Sequence, residues 1–120
     1  MLFGQRLTEN PPLTGATVLK LLPPGEGNPR NTEGAFVTLK DGRILFAYSR
    51  FAGTSDHAAA TIVGRISSDG GKTWTAADTP MVGNEGGMNV MSVSLLRLAD
   101  GRIALLYLRK NSLGDCRPYL

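Results

Sequence analysis

Apolar and polar positions alternate along this chain in short runs cut by glycine, proline and Asp-Gly pairs, a strand pattern rather than a helical one. The first run, Thr17 to Leu22, lies between Gly15 and Pro23-Pro24-Gly25 and predicts one strand, followed by the polar loop GEGNPRNTEG. From Ala35 the pattern becomes regular: AFVTLK, then Asp41-Gly42, then RILFAYSRF. Two β-branched and aromatic runs around Asp-Gly predict a hairpin with a type I′ turn, whose two central residues both take positive φ. A second hairpin has the same form: SLLRLA, Asp100-Gly101, RIALLYLRK. Two more strands are expected at Ala59 to Ser67 and at about Thr73 to Ala76.

The two hairpins align without a gap at an offset of 59 residues, as from Asp41 to Asp100. Phe36 falls on Leu95, Leu39 on Leu98, Ile44 on Ile103, Tyr48 on Tyr107, Arg50 on Arg109 and Asp56 on Asp115. Repeats of roughly this length with several strands each predict the blades of a β-propeller, four-stranded antiparallel sheets that cannot bury both faces alone. The fold expected is therefore all-β, with about two blades of an incomplete propeller. The repeat units are placed at about 33–91 and 92–120 within a single domain spanning 1–120. In the second unit, the positions matching the third strand begin at Pro118, where the unit is cut short.

Composition narrows the functional classes. Fifteen Gly and seven Pro imply frequent turns and no long helix. Thirteen Lys+Arg against ten Asp+Glu give a formal charge of +3, and the positive residues are scattered, which argues against nucleic acid as a partner. No apolar run approaches the ~20 residues of a membrane span, and LFGQRLTENPP after Met1 lacks the apolar core of a signal peptide. As written the chain reads as cytoplasmic, and the compartment of the parent protein is left open. A single cysteine, Cys116, excludes an internal disulfide and has no flanking base, so an inert thiol is expected. No metal-ligand spacing and no phosphate loop is present, and neither metal nor cofactor is expected.

Between the third and fourth expected strands stands Ser67-Ser68-Asp69-Gly70-Gly71-Lys72-Thr73-Trp74, which fits S-x-D-x-G-x-T-W at every fixed position. A short acidic side chain such as Asp69 accepts hydrogen bonds from its own turn, and Gly71 tolerates positive φ. Ser67 and Thr73 offer hydroxyls to tie the strand ends, and Trp74 supplies apolar area to anchor them. On this motif, the Asp-box, the chain resembles the sialidase (neuraminidase) superfamily of six-bladed β-propellers, over most of Asn28 to Arg117. The resemblance implies a structural role for Ser67, Asp69, Gly71, Thr73 and Trp74, on the outer edge of a blade and away from the active site. Six units of this length need roughly 350 residues, so the chain reads as an N-terminal fragment.

The resemblance also implies a chemistry. Family sialidases bind the substrate carboxylate with three arginines, protonate the leaving oxygen with an aspartic acid, and attack with a tyrosine activated by a glutamate, an exception to the usual pair of carboxylates. By position, Arg30 matches the first of those arginines, although Pro29 and Asn31-Thr32 replace the family's aromatic and Ile-Pro flanks. Asp56, 26 residues further on in the loop Phe51-Ala52-Gly53-Thr54-Ser55-Asp56-His57, matches the acid, and Arg50 resembles an arginine that reaches a ring hydroxyl. Glu33 is expected to pair with Arg30 or Arg50. Asn89 and Ser92, which align with Arg30 and Glu33, are expected to face the same end and contact the sugar. The competing reading of each is plain: a solvated loop arginine, an exposed turn aspartate, a strand-end residue repeated in every blade. The partner implied is a sialoside or another anionic glycan, with missing blades or further copies of the chain completing the ring. The alternative function is a non-catalytic Asp-box propeller segment that binds carbohydrate or protein.

Overall fold

The computed structural model describes residue 15 and residues 18–120. Seven strands follow in order: β1 (Arg30–Thr38), β2 (Ile44–Phe51), β3 (Ala60–Ser67), β4 (Thr79–Val82), β5 (Asn89–Arg97), β6 (Ile103–Ser112) and β7 (Asp115–Tyr119). They make two antiparallel meanders, β1-β2-β3-β4 and β5-β6-β7, and no described residue is helical. The protein is all-β. The units expected at about 33–91 and 92–120 begin inside β1 and β5, while the sheets themselves divide between Val82 and Asn89.

The two hairpins match closely in three dimensions. Register breaks between Thr32 and Ala35 in the first and between Met91 and Ser94 in the second, the same place at the same offset. Glu33 (φ 36°) and Ser92 (φ 60°) occupy these breaks and are the non-glycine residues with positive φ among those described. Neither Asp-Gly turn is type I′, because only the glycines, Gly42 (86°) and Gly101 (84°), take positive φ. Gly42 N–H donates to Leu39 O (3.1 Å) and Leu39 N–H to Arg43 O (2.7 Å), with Gly101, Leu98 and Arg102 repeating the arrangement. This is a three-residue loop, a type I turn closed by a left-handed glycine. The aspartate stays at negative φ because its carboxylate is engaged with the residue two ahead: Asp41 accepts from Arg43 N–H (3.1 Å) and Nε (2.7 Å), and Asp100 does the same for Arg102.

One expected strand is absent from the described residues and two begin elsewhere. Residues 18–22 form no strand, and Thr17 lies outside the described residues. The run is held through side chains instead: Arg65 Nη1 donates to Leu21 O and Asn31 Nδ2 to Leu22 O, each 3.3 Å. The fourth strand is Thr79–Val82 rather than 73–76, because Thr73 and Trp74 are consumed in closing the Asp-box turn. Pro80 sits there on an edge strand, where a missing N–H is tolerated. The third strand of the second sheet starts at Asp115 and not Pro118, since only Leu113-Gly114 separate β6 from β7 whereas eight residues, 52–59, join β2 to β3. The offset of 59 therefore ends after Phe51 and Lys110, and Asp115 is not the structural counterpart of Asp56.

Packing distinguishes the two faces of the first sheet. One carries Ala47 and Ile62, against which Val90 and Val93 of β5 pack to form the buried core, with Ala35, Val82, Leu95, Leu105 and Tyr107 around it. The opposite face is aromatic: Phe46 stacks on Phe36 (4.4 Å) and on Tyr48 (5.1 Å), and Trp74 meets Phe46 edge-on (6.0 Å). Residues 18–22 cross this face and leave an open apolar pocket of about 380 Å³ between Leu19, Leu21, Leu22, Phe36, Phe46 and Trp74.

Candidate functional site

The strand directions bring the start of β1, the end of β2, the start of β5 and the end of β6 to one end of the molecule. Arg30 opens β1 opposite Phe51, and residues directly opposite share a face. Its guanidinium lies over the Phe51 ring (4.6 Å to the centroid), donates from Nη1 to Thr54 O (3.3 Å), and places Nη2 2.5 Å from Asp56 Oδ1. The hydrogen bond from Arg30, and then its charge, hold the Asp56 carboxyl below the usual carboxylate range against the opposing effect of burial, and the charge of Lys110 adds to the depression. Asp56 is ionised, and its side chain is 60% exposed, so a ligand from solvent reaches it.

The loop that carries Asp56 is held from both sheets. Ala52 N–H donates to Ala59 O (2.8 Å) and His57 N–H to Ser55 Oγ (3.1 Å). From the second sheet, Asn89 Nδ2 donates to Asp56 O and Ala58 O, both 2.9 Å. Asn89 is fully buried, so the sugar contact expected of it is replaced by a structural one: it ties the Asp56 loop to β5. Lys110, opposite Asn89 at the end of β6, sets Nζ 2.7 Å from His57 Nδ1. An ammonium only donates, so Nδ1 accepts and the imidazole proton is assigned to Nε2.

Other expected partners are not brought to this group. Arg50 neighbours Phe51 in β2 and so points to the opposite, aromatic face, where its Nε lies 3.4 Å from Asp78 Oδ2. Asp78 also accepts from Arg65 Nε (2.8 Å) and from the buried Tyr48 hydroxyl. Burial pushes the Asp78 pKa up, but the hydrogen bonds from Tyr48 and Arg65 and the charges of Arg65 and Arg50 outweigh it, and the net direction is down. Burial and then the Asp78 hydrogen bond push the Tyr48 phenol up to about 12. Glu33 pairs with neither arginine; it accepts from the Thr32 hydroxyl (2.6 Å) and stays exposed. Ser92 donates its N–H to Ser49 Oγ (3.1 Å), which ties the β5 bulge to β2.

Sequence reasoning missed Asp78 and Lys110. Tyr48 and Arg50 share one face of β2 at a spacing of two, a pattern that calls for a carboxylate, and Asp78 is the next acid after Asp69. Lys110 stands where the repeat has Phe51, a charge in place of a ring.

The Asp-box lies at the other end of the sheet, roughly 23 Å away along the eight residues of β3 at ~3.3 Å each. Asp69 accepts from the Thr73 hydroxyl (2.6 Å), Thr73 N–H (2.9 Å) and the Ser67 hydroxyl (2.8 Å), and these bonds hold its pKa down at about 2. Gly71 (φ 90°) donates to Ser67 Oγ, and the Trp74 indole N–H returns to Gly71 O (3.0 Å). All five motif residues thus bond within their own turn.

Neither a protein-family model nor a curated protein matches the chain. Among the described residues, no three His, Cys, Asp or Glu side chains gather where they would hold a metal ion, and no helix is long and apolar enough to cross a membrane.

Proposed function

We propose that this chain carries part of a sialidase-like active site, and that its two sheets are adjacent blades of a β-propeller. The observation that carries the functional reading is the Arg30–Asp56 pair at the shared strand end, remote from the Asp-box. In the proposed reaction, Arg30 receives the carboxylate of a terminal sialic acid or a related acidic sugar as a two-pronged pair. Asp56 then gives its proton to the glycosidic oxygen as the bond to the anomeric carbon breaks, while a nucleophile contributed by another part of the propeller takes the anomeric carbon and water later regenerates it.

A general acid must be protonated, and Asp56 without ligand is held ionised by Arg30. A ligand carboxylate that engages Arg30 removes the largest cause of that depression, so the same event that binds the sugar lets the Asp56 pKa rise toward the working range. The tyrosine that has a glutamate partner among the described residues, Tyr107, is not the nucleophile in this scheme. It donates to Glu85 and packs beside the core, and that hydrogen bond, then burial, raises its pKa and keeps it protonated.

The ionised Asp56 also favours a second reading, a non-catalytic Asp-box propeller segment that only binds an anionic glycan. Titration of the chain with free N-acetylneuraminic acid and with its neutral methyl ester tests what both readings share. Binding of the acid, loss of that binding in Arg30→Met, and weaker binding of the ester are expected; equal binding of acid and ester would sink both. The chain alone is expected to leave a fluorogenic sialoside intact, and turnover abolished by Asp56→Asn would establish the enzyme outright.

A further inference from the structure

The charges at this strand end do not balance. Arg30 and Lys110 both act on Asp56, yet Asp56 is the only carboxylate paired with Arg30, and Lys110 makes no ion pair among the described residues. Among the described residues, its polar side-chain partner is the imidazole of His57, which contributes no compensating negative charge. An ammonium held by a neutral acceptor at an exposed edge is free to exchange that acceptor for an anion, because a carboxylate adds the attraction of opposite charges that a neutral imidazole lacks.

The backbone that presents Lys110 is held closely. Met88 N–H donates to Lys110 O (2.9 Å), and Gly86 and Gly87 pass flush against the end of β6. A Cβ on Gly86 would stand 2.6 Å from Lys110 O, and one on Gly87 2.3 Å from Asn111 O. The glycine pair lets the β4–β5 crossing clamp this strand end, so the position from which Lys110 reaches over the first sheet is defined. In the first sheet the aligned residue is Phe51, buried beneath Arg30. The second sheet thus sends a cation across the junction where the first has a ring.

We propose that Lys110 is a ligand-binding residue: its ammonium leaves His57 and joins Arg30 in binding the carboxylate of the acidic sugar, so that the site is built from both sheets. The inference rests on the anionic-sugar reading of the same site. It also assigns His57 a task as the resting acceptor that keeps Lys110 aimed at the site, a positioning residue rather than a catalytic one.

The test uses the full chain and three probes: N-acetylneuraminic acid, its methyl ester, and N-acetylmannosamine as an uncharged sugar. Binding is followed by proton–nitrogen NMR, with the His57 ring nitrogens observed in the same samples. Lys110→Met is expected to weaken the acid roughly three- to tenfold while leaving the ester unchanged, and Lys110→Arg to recover most of the loss. In the wild type, the acid should shift His57 Nδ1 as its lysine partner departs, and the ester should not. If Arg30→Met abolishes acid binding but Lys110→Met does not weaken it, the role of Lys110 is refuted and the acidic-sugar reading survives. If the wild type does not prefer acid to ester, that reading fails and this inference with it. Retained amide dispersion in each variant separates lost contacts from lost folding.

Discussion

Asp69 illustrates how one side chain does structural work without burial. Its carboxylate collects three hydrogen bonds from Ser67 and Thr73, and each favours the ionised form, which is why its pKa falls to about 2. A carboxyl with a depressed folded pKa adds stability above its unfolded value, here 3.8, and loses it as pH falls through the folded value. The Tm difference between wild type and Asp69→Asn is therefore expected to be full above about pH 4 and to shrink toward zero near pH 2, as a pH series of thermal melts would show. A difference that grows on acidification would contradict the hydrogen-bond account. Asp56 has the same direction of shift for another reason, chiefly the Arg30 guanidinium, and so its pKa is open to change by any ligand that takes Arg30 away.

At the scale of elements, the close crossings decide which glycines matter. Gly87 leaves no room for a methyl group, since the obstructing atom is the Asn111 carbonyl and backbone does not swing aside as a side-chain tip does. Gly114, in the tight β6–β7 turn, has nothing within 4 Å of an added Cβ and no positive φ. Gly87→Ala is expected to cost on the order of 1–3 kcal/mol in urea unfolding and to disturb the Lys110 resonances, while Gly114→Ala stays within about 0.5 kcal/mol. Equal effects would mean that the crossing is not a tight clamp. The bulges at Glu33 and Ser92 belong to the same scale: each inserts a left-handed residue into the first strand of its sheet, and in the second sheet the bulge N–H reaches Ser49 to lock β5 onto β2.

For the molecule as a whole, the repeat explains why two faces stay open. Leu95, Leu105 and Tyr107 of the second sheet pack toward the core formed with Ala47 and Ile62 of the first. Their counterparts one offset earlier, Phe36, Phe46 and Tyr48, line the aromatic face, where Phe36 remains 60% exposed. The counterparts of Val37 and Ala47, namely Leu96 and Leu106, are 63% and 44% exposed on the far side of the second sheet. The two open faces repeat the two halves of the internal interface, so head-to-tail association through them is expected when the chain is alone. Light scattering should report concentration-dependent growth that Phe36→Glu and Leu106→Glu each reduce; a monomer at all concentrations, with a sharp cooperative melt, would refute it.

The local framework follows from the order of residues alone: an all-β chain, the paired hairpins, the register shared at an offset of 59, and a turn from Ser67 to Trp74 whose motif residues all bond within eight positions. These features are legible because alternation, turn residues and short-range hydrogen bonds act between neighbours along the chain. The type I′ turns, the strand at 73–76 and the start of the last strand at Pro118 were misread where a side chain competed with the expected backbone pattern, or where a loop changed length and broke the offset. It is the folded arrangement that sets Arg30 and Arg50 on opposite faces, brings Asn89 to the Asp56 loop, gathers Tyr48, Arg50 and Arg65 around Asp78, and carries Lys110 to His57 from 53 residues away. The Asn89 and Lys110 contacts depend on how one sheet lies upon the other, and the arginine faces and the Asp78 cluster on strand pairing within the first sheet; both join residues whose separation in sequence carries no signal of their contact.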